Sequence, residues 1–233
     1  IFLIIGIAVI LIGILCFFFF FFRNIFSKEN QSYLKNLCYS FRPSVYRQNK
    51  LLYTVVLAFS VFGISIQTFM PYLILYYEVT LGIKNYVIIM APAIILATVI
   101  TAFYGKLYDM MGFQMSVIPT AIMLMIGYTL LYLFRQTPLV FLGSLFMMTG
   151  YLTGMAIFGA MIRDNTPKDK TGLFQGLRIF GQVFIPGIIG PALGAAVLKN
   201  AMTVVNGDGT TSFIPNRNIY MAAFVVALLL LIV

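Results

Sequence analysis

Seven apolar runs separated by short polar or charged stretches set the pattern of the chain. Residues 1–22 hold no charged side chain. At about 1.5 Å of rise per residue, about 20 apolar residues cross a hydrocarbon layer of ~30 Å, so this run is expected to span. Phe17 to Phe22 place rings on every side of that helix, which reads as lipid contact or packing rather than an aromatic box. Further spans are expected at about 51–77, 85–104, 115–134, 138–162 and 171–198, and a seventh begins near Asn218. Between the first two lie residues 23–50, with six Lys or Arg against a single acid, Glu29. Tyr33, Leu34, Leu37, Cys38 and Phe41 recur there at helical spacing, predicting a short amphipathic helix on the membrane surface. Phe41-Arg42-Pro43 ends it, because a residue preceding proline avoids the helical region. Asn206-Gly207-Asp208-Gly209 predicts a hairpin turn before the last run.

From residue 161 to 198 a charged turn, Arg163 to Lys170, passes into an apolar segment whose only charge is Arg178. Thr166 is placed to N-cap the new helix, Pro167 suits its first position, and Asp169 sits where a capping-box acid belongs. Gly172, Gly176, Gly190 and Gly194 fall at spacings that let a neighbouring backbone approach. Pro186 and Pro191 interrupt the hydrogen-bond ladder inside the span. Such breaks are tolerated where neighbours or a watery cavity re-satisfy the backbone. Two readings stay open, a kinked packing helix and a moving or cavity-lining one.

Composition points the same way. Of 233 residues, 61% are hydrophobic and 9% charged, with mean hydropathy +1.00, whereas soluble domains carry roughly 25% charged residues. The net charge of +9 lies in loops between spans, a membrane-topology pattern rather than a nucleic-acid face, and no nucleic-acid partner is expected. Placing 23–50 inside puts eleven Lys and Arg on that side, Arg178 included, against Lys84, Arg135, Lys199 and Arg217 outside. That is a positive-inside orientation. Cys16 and Cys38 give neither a disulfide framework nor metal-ligand spacing, and no metal site is expected. The chain has no histidine, which excludes imidazole relays, His-ligated zinc and His-based hydrolases. The first run lacks a basic n-region and the last holds only about 15 apolar residues, so a portion of a longer protein is expected.

After the third run the chain reads Gly105-Lys106-Leu107-Tyr108-Asp109-Met110-Met111-Gly112-Phe113-Gln114. Gly105 allows close backbone approach at a helix end, Asp109 is placed to accept bonds from helix-start amides, and Gly112 permits a left-handed turn. This resembles the G-x-x-x-D-[RK]-x-G-[RK]-[RK] loop signature of the major facilitator superfamily, with Met110, Phe113 and Gln114 in place of basic residues. Asp164-x-Thr166-Pro167 followed by Gly172 and Gly176, and Gly190-Pro191-x-x-Gly194, resemble the same superfamily. The Gly190-Pro191 piece is like its antiporter signature, which belongs in helix 5 and so is not carried over to this position. Phe174-Gln175-Gly176-Leu177-Arg178 is similar to the glycoside–pentoside–hexuronide cation symporter branch. The resemblance covers essentially the whole chain and implies an all-α membrane protein. Residues 1–22 would be helix 6, 23–50 the cytoplasmic central linker, and 51–233 a six-helix C-terminal bundle, helices 7–12, the last cut short. It further implies that helices 6, 9 and 12 stand outside as supports while 7, 8, 10 and 11 face a central cavity. The intramembrane Gln, Thr, Pro and Gly concentrate on those four, as expected if polar groups turn away from lipid.

The implied function is secondary transport by alternating access. A small polar solute, a sugar or glycoside, would cross a bacterial cytoplasmic membrane with a cation. The bilayer and a missing N-terminal six-helix half would be the partners. Gln67 and Tyr72, Thr149 and Tyr151, and Gln182 are candidate cavity residues, since amides and phenols suit sugar hydroxyls. The plain alternative for each is an interhelical hydrogen bond. Gly105, Asp109 and Gly112, with Asp164, Thr166, Pro167 and Arg178, are candidate conformational-switch positions. Arg178 is expected to snorkel or to pair with Asp164, and Tyr76 and Glu78 to lie at the outer rim. No Asp or Glu lies deep within a span, so no cofactor is expected, a site for H+ or Na+ belongs outside this chain, and a uniporter stays open. Proton-coupled efflux of hydrophobic compounds and a non-transporting receptor or scaffold are the alternatives. An enzyme lacks a cluster of His, Cys or carboxylates at membrane depth, and a channel lacks a filter loop.

Overall fold

The computed structural model describes residues 13, 15, 39–205 and 211–231. The chain divides into two units, Ile1–Cys38 and Tyr39–Val233. In the first, Gly13 and Leu15 are helical. The rest of the expected first span, Cys16 and Cys38, and the amphipathic helix apart from Phe41 lie outside the described residues.

The second unit opens with a 3-10 turn, Tyr39–Phe41. Arg42 is then extended (φ −76°, ψ 136°), and Pro43 starts α1, Pro43–Gln48. The proline thus closes one turn and opens the next, as its fixed φ and its effect on the preceding residue require. α2, Lys50–Thr80, is long and apolar enough to span. It is irregular: its α-helical part ends at Phe69, Pro71 sits in a 3-10 turn at Met70–Tyr72, and Tyr76–Thr80 has π geometry. Residues 87–111 (α3) and 113–133 (α4) are joined at Gly112 alone, with φ 77° and ψ −179°. Only glycine takes that conformation without strain, so the predicted turn residue is the hinge. The expected loop around it shrinks, because helix persists through Met111. Gly105 is consequently inside α3 with nothing within 4 Å of a Cβ position, and its expected close approach does not occur.

α5 is Thr137–Asn165, with Pro138 in its first turn. α6, Lys168–Val197, has a π segment, Phe180–Phe184, just before Pro186. A proline offers no N–H to the ladder, and the π turn is how the helix passes that gap. β1, Thr203–Val205, pairs antiparallel with β2, Thr211–Phe213, Thr203 facing Phe213. This small ribbon flanks the predicted turn, whose residues Asn206 to Gly209 lie outside the described ones. α7 is Asn218–Leu229.

α2 and α5 form the centre: half of the most apolar stretch of each is buried, against 22% for α6 and for α3–α4. Phe59 stacks on Phe158 at 5.2 Å between centroids, with Phe62 at 5.4 Å from Phe158. Gly154 of α5 leaves the room that the Phe62 ring fills. Farther along α2, Phe69, Tyr76, Tyr128 and Tyr220 cluster, the closest pair being Tyr76 and Tyr220 at 4.9 Å. Hydroxyls fasten this second cluster. Ser65 Oγ donates to the Ala223 carbonyl at 2.8 Å and accepts from Tyr128 Oη at 3.1 Å. Tyr76 Oη donates to the Leu131 carbonyl at 3.0 Å. Tyr76 is therefore part of the core, not of the rim where the sequence placed it; Glu78 is exposed. α4 shows one buried face, with Thr120, Leu124 and Tyr128, and an exposed apolar face of Met115, Ile118, Ile122 and Ile126.

Candidate functional site

Most of the candidates gather at two places, the seam between α2 and α6 and the polar end of α5, where α3 and α6 each meet it. Glycines make the seam. A Cβ at Gly190 would lie 2.8 Å from the Gln67 carbonyl carbon, and one at Gly194 would strike the Tyr72 ring and the Thr68 carbonyl oxygen. On the other side, Gly63 of α2 receives the Pro186 ring. α6 therefore lies backbone to backbone against α2, and Gln67 and Tyr72, both half-buried, stand where the two helices touch. The four-residue glycine spacing foretold this contact for Gly190 and Gly194. It did not for Gly172, which has nothing within 4 Å.

Gln182 belongs to the same helix, and its Oε1 accepts from Arg178 Nε at 3.2 Å. The expected pairing of Arg178 with Asp164 is thus replaced by a pairing one turn along α6. Asp164 has other partners: Tyr108 Oη donates to it at 3.0 Å and Arg163 Nε at 3.2 Å. Thr149 and Tyr151, on α5, do not join the seam. Thr149 is buried and its hydroxyl has no partner among the described residues, while Tyr151 packs against the apolar core.

At the polar end the start of α6 differs from expectation. Thr166 Oγ1 donates back to the Ile162 carbonyl at 2.6 Å, so it finishes α5 instead of capping α6. After Pro167 the chain makes a 3-10 turn, Lys168–Lys170, with no side-chain cap, and the capping box expected from Asp169 is not formed. The reason is local: Thr166 is turned back on the last turn of α5, and the N-cap position falls on Pro167, whose side chain has no acceptor. Asp109 is exposed in the last turn of α3, and among the described residues no helix-start amide bonds to its carboxylate. It lines a cavity of about 180 Å3 between α3 and α5, together with Gly105, Tyr108 and Arg163. The Tyr108–Asp164 bond spans that junction, tying the loop signature to the charged turn. The charged turn is also held from the linker side, where Tyr39 meets Phe174 edge-on at 6.1 Å and Lys170 Nζ lies 5.6 Å above the Tyr39 ring.

Tyr108 and Ser65 were not singled out as site residues by sequence reasoning. Tyr108 offered one usable signal, a phenol one residue from Asp109 in the loop signature itself. Among the described residues no group of three His, Cys, Asp or Glu is placed to hold a metal ion. A search of curated proteins and one of solved structures gave no match. The family model of the Major Facilitator Superfamily matches residues 1–191, from the first apolar run to Pro191 on the α2–α6 seam. With most of its 233 residues so matched and its long helices apolar enough to cross a bilayer, the chain belongs to the Major Facilitator Superfamily of transporters and is an integral, multi-pass membrane protein.

Proposed function

We propose that the chain is the C-terminal part of a secondary transporter that carries a small polar solute, a sugar or glycoside, across a bacterial cytoplasmic membrane by alternating access. On this reading residues 1–22 are helix 6, 23–50 the cytoplasmic linker, and α2 to α7 helices 7–12, and an N-terminal six-helix half completes the cavity. The observation that carries it is the α2–α6 seam, where Gln67 and Tyr72 stand at glycine contacts between two helices interrupted by Pro71, Pro186 and π turns. A helix whose ladder is already broken changes its bend with less loss of hydrogen bonding than a regular one. Rocking of one bundle against another draws on such helices.

Gln67, Tyr72 and Gln182 offer amide and phenol groups to sugar hydroxyls, and α5 contributes Tyr151 and the Thr149 hydroxyl, which has no partner among the described residues. Gly105, Asp109 and Gly112, with Asp164, Thr166, Pro167 and Arg178, form the switch region, now joined through Tyr108. Coupling to H+ or Na+, as in the symporter branch that Phe174 to Arg178 resemble, falls to the N-terminal half, since the apolar bodies of α2 to α7 carry no carboxylate. The test is uptake of a panel of labelled sugars at limiting concentration into vesicles holding the full-length protein. Gln67→Ala should weaken apparent affinity about fivefold, as one neutral hydrogen bond of ~1 kcal/mol implies. Wild-type uptake by the variant would demote Gln67 to packing, and no uptake of any sugar would remove the substrate class.

One observation favours a second reading, export of hydrophobic compounds. α6 exposes Val183, Phe184 and Ile188, and Phe180 stacks on Phe184 at 5.3 Å, an aromatic, apolar strip unlike a sugar site. Proton-driven export of a lipophilic dye from the same vesicles would select it.

A further inference from the structure

We propose that the cavity between the end of α5 and the start of α6 binds a phosphate oxyanion, and that its occupant is the headgroup of an anionic phospholipid. The cavity measures about 550 Å3 and is lined by Ile162, Arg163, Asp164, Lys168, Phe174 and Arg178 among others. Its charge is unbalanced. Asp164 is its single acid, and that carboxylate is engaged by Tyr108 and by Arg163, the only ion pair among the described residues. Asp169 is exposed on the same turn and does not line the cavity. Among the described residues Lys168 and Arg178 thus remain as two cations without an acid. Arg178 uses Nε on the neutral Gln182 and keeps its two terminal nitrogens, one of them 3.9 Å from the Cβ position of Gly159 on α5. A Cβ at Gly159 would make only ordinary van der Waals contact with that nitrogen. A planar guanidinium with free N–H groups, an ammonium and the amide of Gln175 make a donor set suited to phosphate oxygens.

The place of the cavity in the fold separates a lipid from a free ion: two spans end here, on the side expected to hold most of the basic loops, where anionic headgroups meet basic pockets between helices. Ile162 and Phe174 also line the cavity, but both are already buried and offer a ligand little apolar surface. An occupant held by Lys168 and Arg178 bears on α6 directly below its π segment, so the lipid would set how readily that end of α6 moves. Such a site would serve the protein whichever solute is carried.

The experiment uses the full chain in detergent and in vesicles. Native mass spectrometry after exposure to equal phosphatidylglycerol and phosphatidylcholine reads lipid retention, and thermal unfolding with and without millimolar inorganic phosphate reads the free ion. The wild type should retain phosphatidylglycerol about tenfold over phosphatidylcholine, Lys168→Gln with Arg178→Gln should lose most of that preference, and phosphate should shift unfolding little. Lys168→Gln alone, at an exposed position, should lose part of it and guards against misfolding of the double variant; Lys84→Gln with Arg135→Gln, on the opposite side, should change nothing. A phosphate-dependent shift abolished in the double variant, without lipid preference, would keep the oxyanion site and overturn the lipid. Equal retention of both lipids by wild type and no phosphate shift, or a preference untouched by either Lys168 variant, would overturn the proposal.

Discussion

The α4–α5 seam and the α2–α6 seam are closed by the same device, a glycine lying under a neighbouring backbone, and differ in everything around it. In the first, a Cβ at Gly150 would lie 2.7 Å from the Leu124 amide nitrogen, and Gly127 is pressed as closely on Met147. The helices there stay α-helical through the contact, although α4 carries Pro119 little more than a turn before Leu124. In the second, Gly190 and Gly194 press on Gln67, Thr68 and Tyr72, but both helices are broken by proline, 3-10 and π turns. The same small-residue chemistry thus joins continuous helices in one place and interrupted ones in the other. Close approach fixes distance, and continuity of the ladder decides whether the pair bends.

The sharpest way to break that comparison is to fill the glycines. Gly127→Ala and Gly150→Ala should each destabilise the fold by about 2 kcal/mol or more, because the added methyl meets backbone that a regular helix cannot yield. Thermal unfolding in detergent reads this, and unchanged midpoints would show that the α4–α5 contact is looser than described. Gly190→Ala should lower stability less, since the broken helices can shift, yet slow transport several-fold. Gly187→Ala, with nothing within 4 Å of its new methyl, should leave both untouched. If the two variants behave alike, the seam is not a joint. Ser65→Ala removes the hydroxyl that bridges Tyr128 and Ala223, and should lower stability by about 0.6–1 kcal/mol, the scale of hydrogen bonds between membrane helices. A neutral result would mean that aromatic packing alone holds α2 to α4 and α7. The smallest effect is expected of Asp109→Asn, a modest slowing of transport with little change in expression; rates equal to wild type in reconstituted vesicles would remove Asp109 from the switch.

Much of this architecture was legible because membrane spans obey length and charge rules that a single chain displays. Gly112 was readable as a turn, and Gly190 and Gly194 as a close contact, since few other residues serve there. What was not legible depends on competition between local bonds. Thr166 looks like an N-cap, but its hydroxyl finds the Ile162 carbonyl one turn back before it can serve α6. Arg178 looks poised for Asp164, yet Gln182 lies at the favoured spacing on its own helix and Tyr108 and Arg163 already hold the acid. Tyr76 reads as a rim residue because its position alone says nothing of the Leu131 carbonyl waiting across α4. Which of several partners wins, a near one four residues away or a distant one across the bundle, is what linear spacing does not carry.

On the proposed function the jointed α2–α6 pair borders a watery path while α4 faces lipid. Cysteine scanning of α4 from 115 to 133 and of α6 from 179 to 193, in the full protein with Cys16 and Cys38 replaced, tests it through labelling by a charged, water-soluble maleimide. The account predicts periodic labelling along α6 that includes Gln182, slowed by transported solute, and none at mid-membrane positions such as Ile122 and Ile126. Labelling of α4 with α6 inert throughout would contradict it.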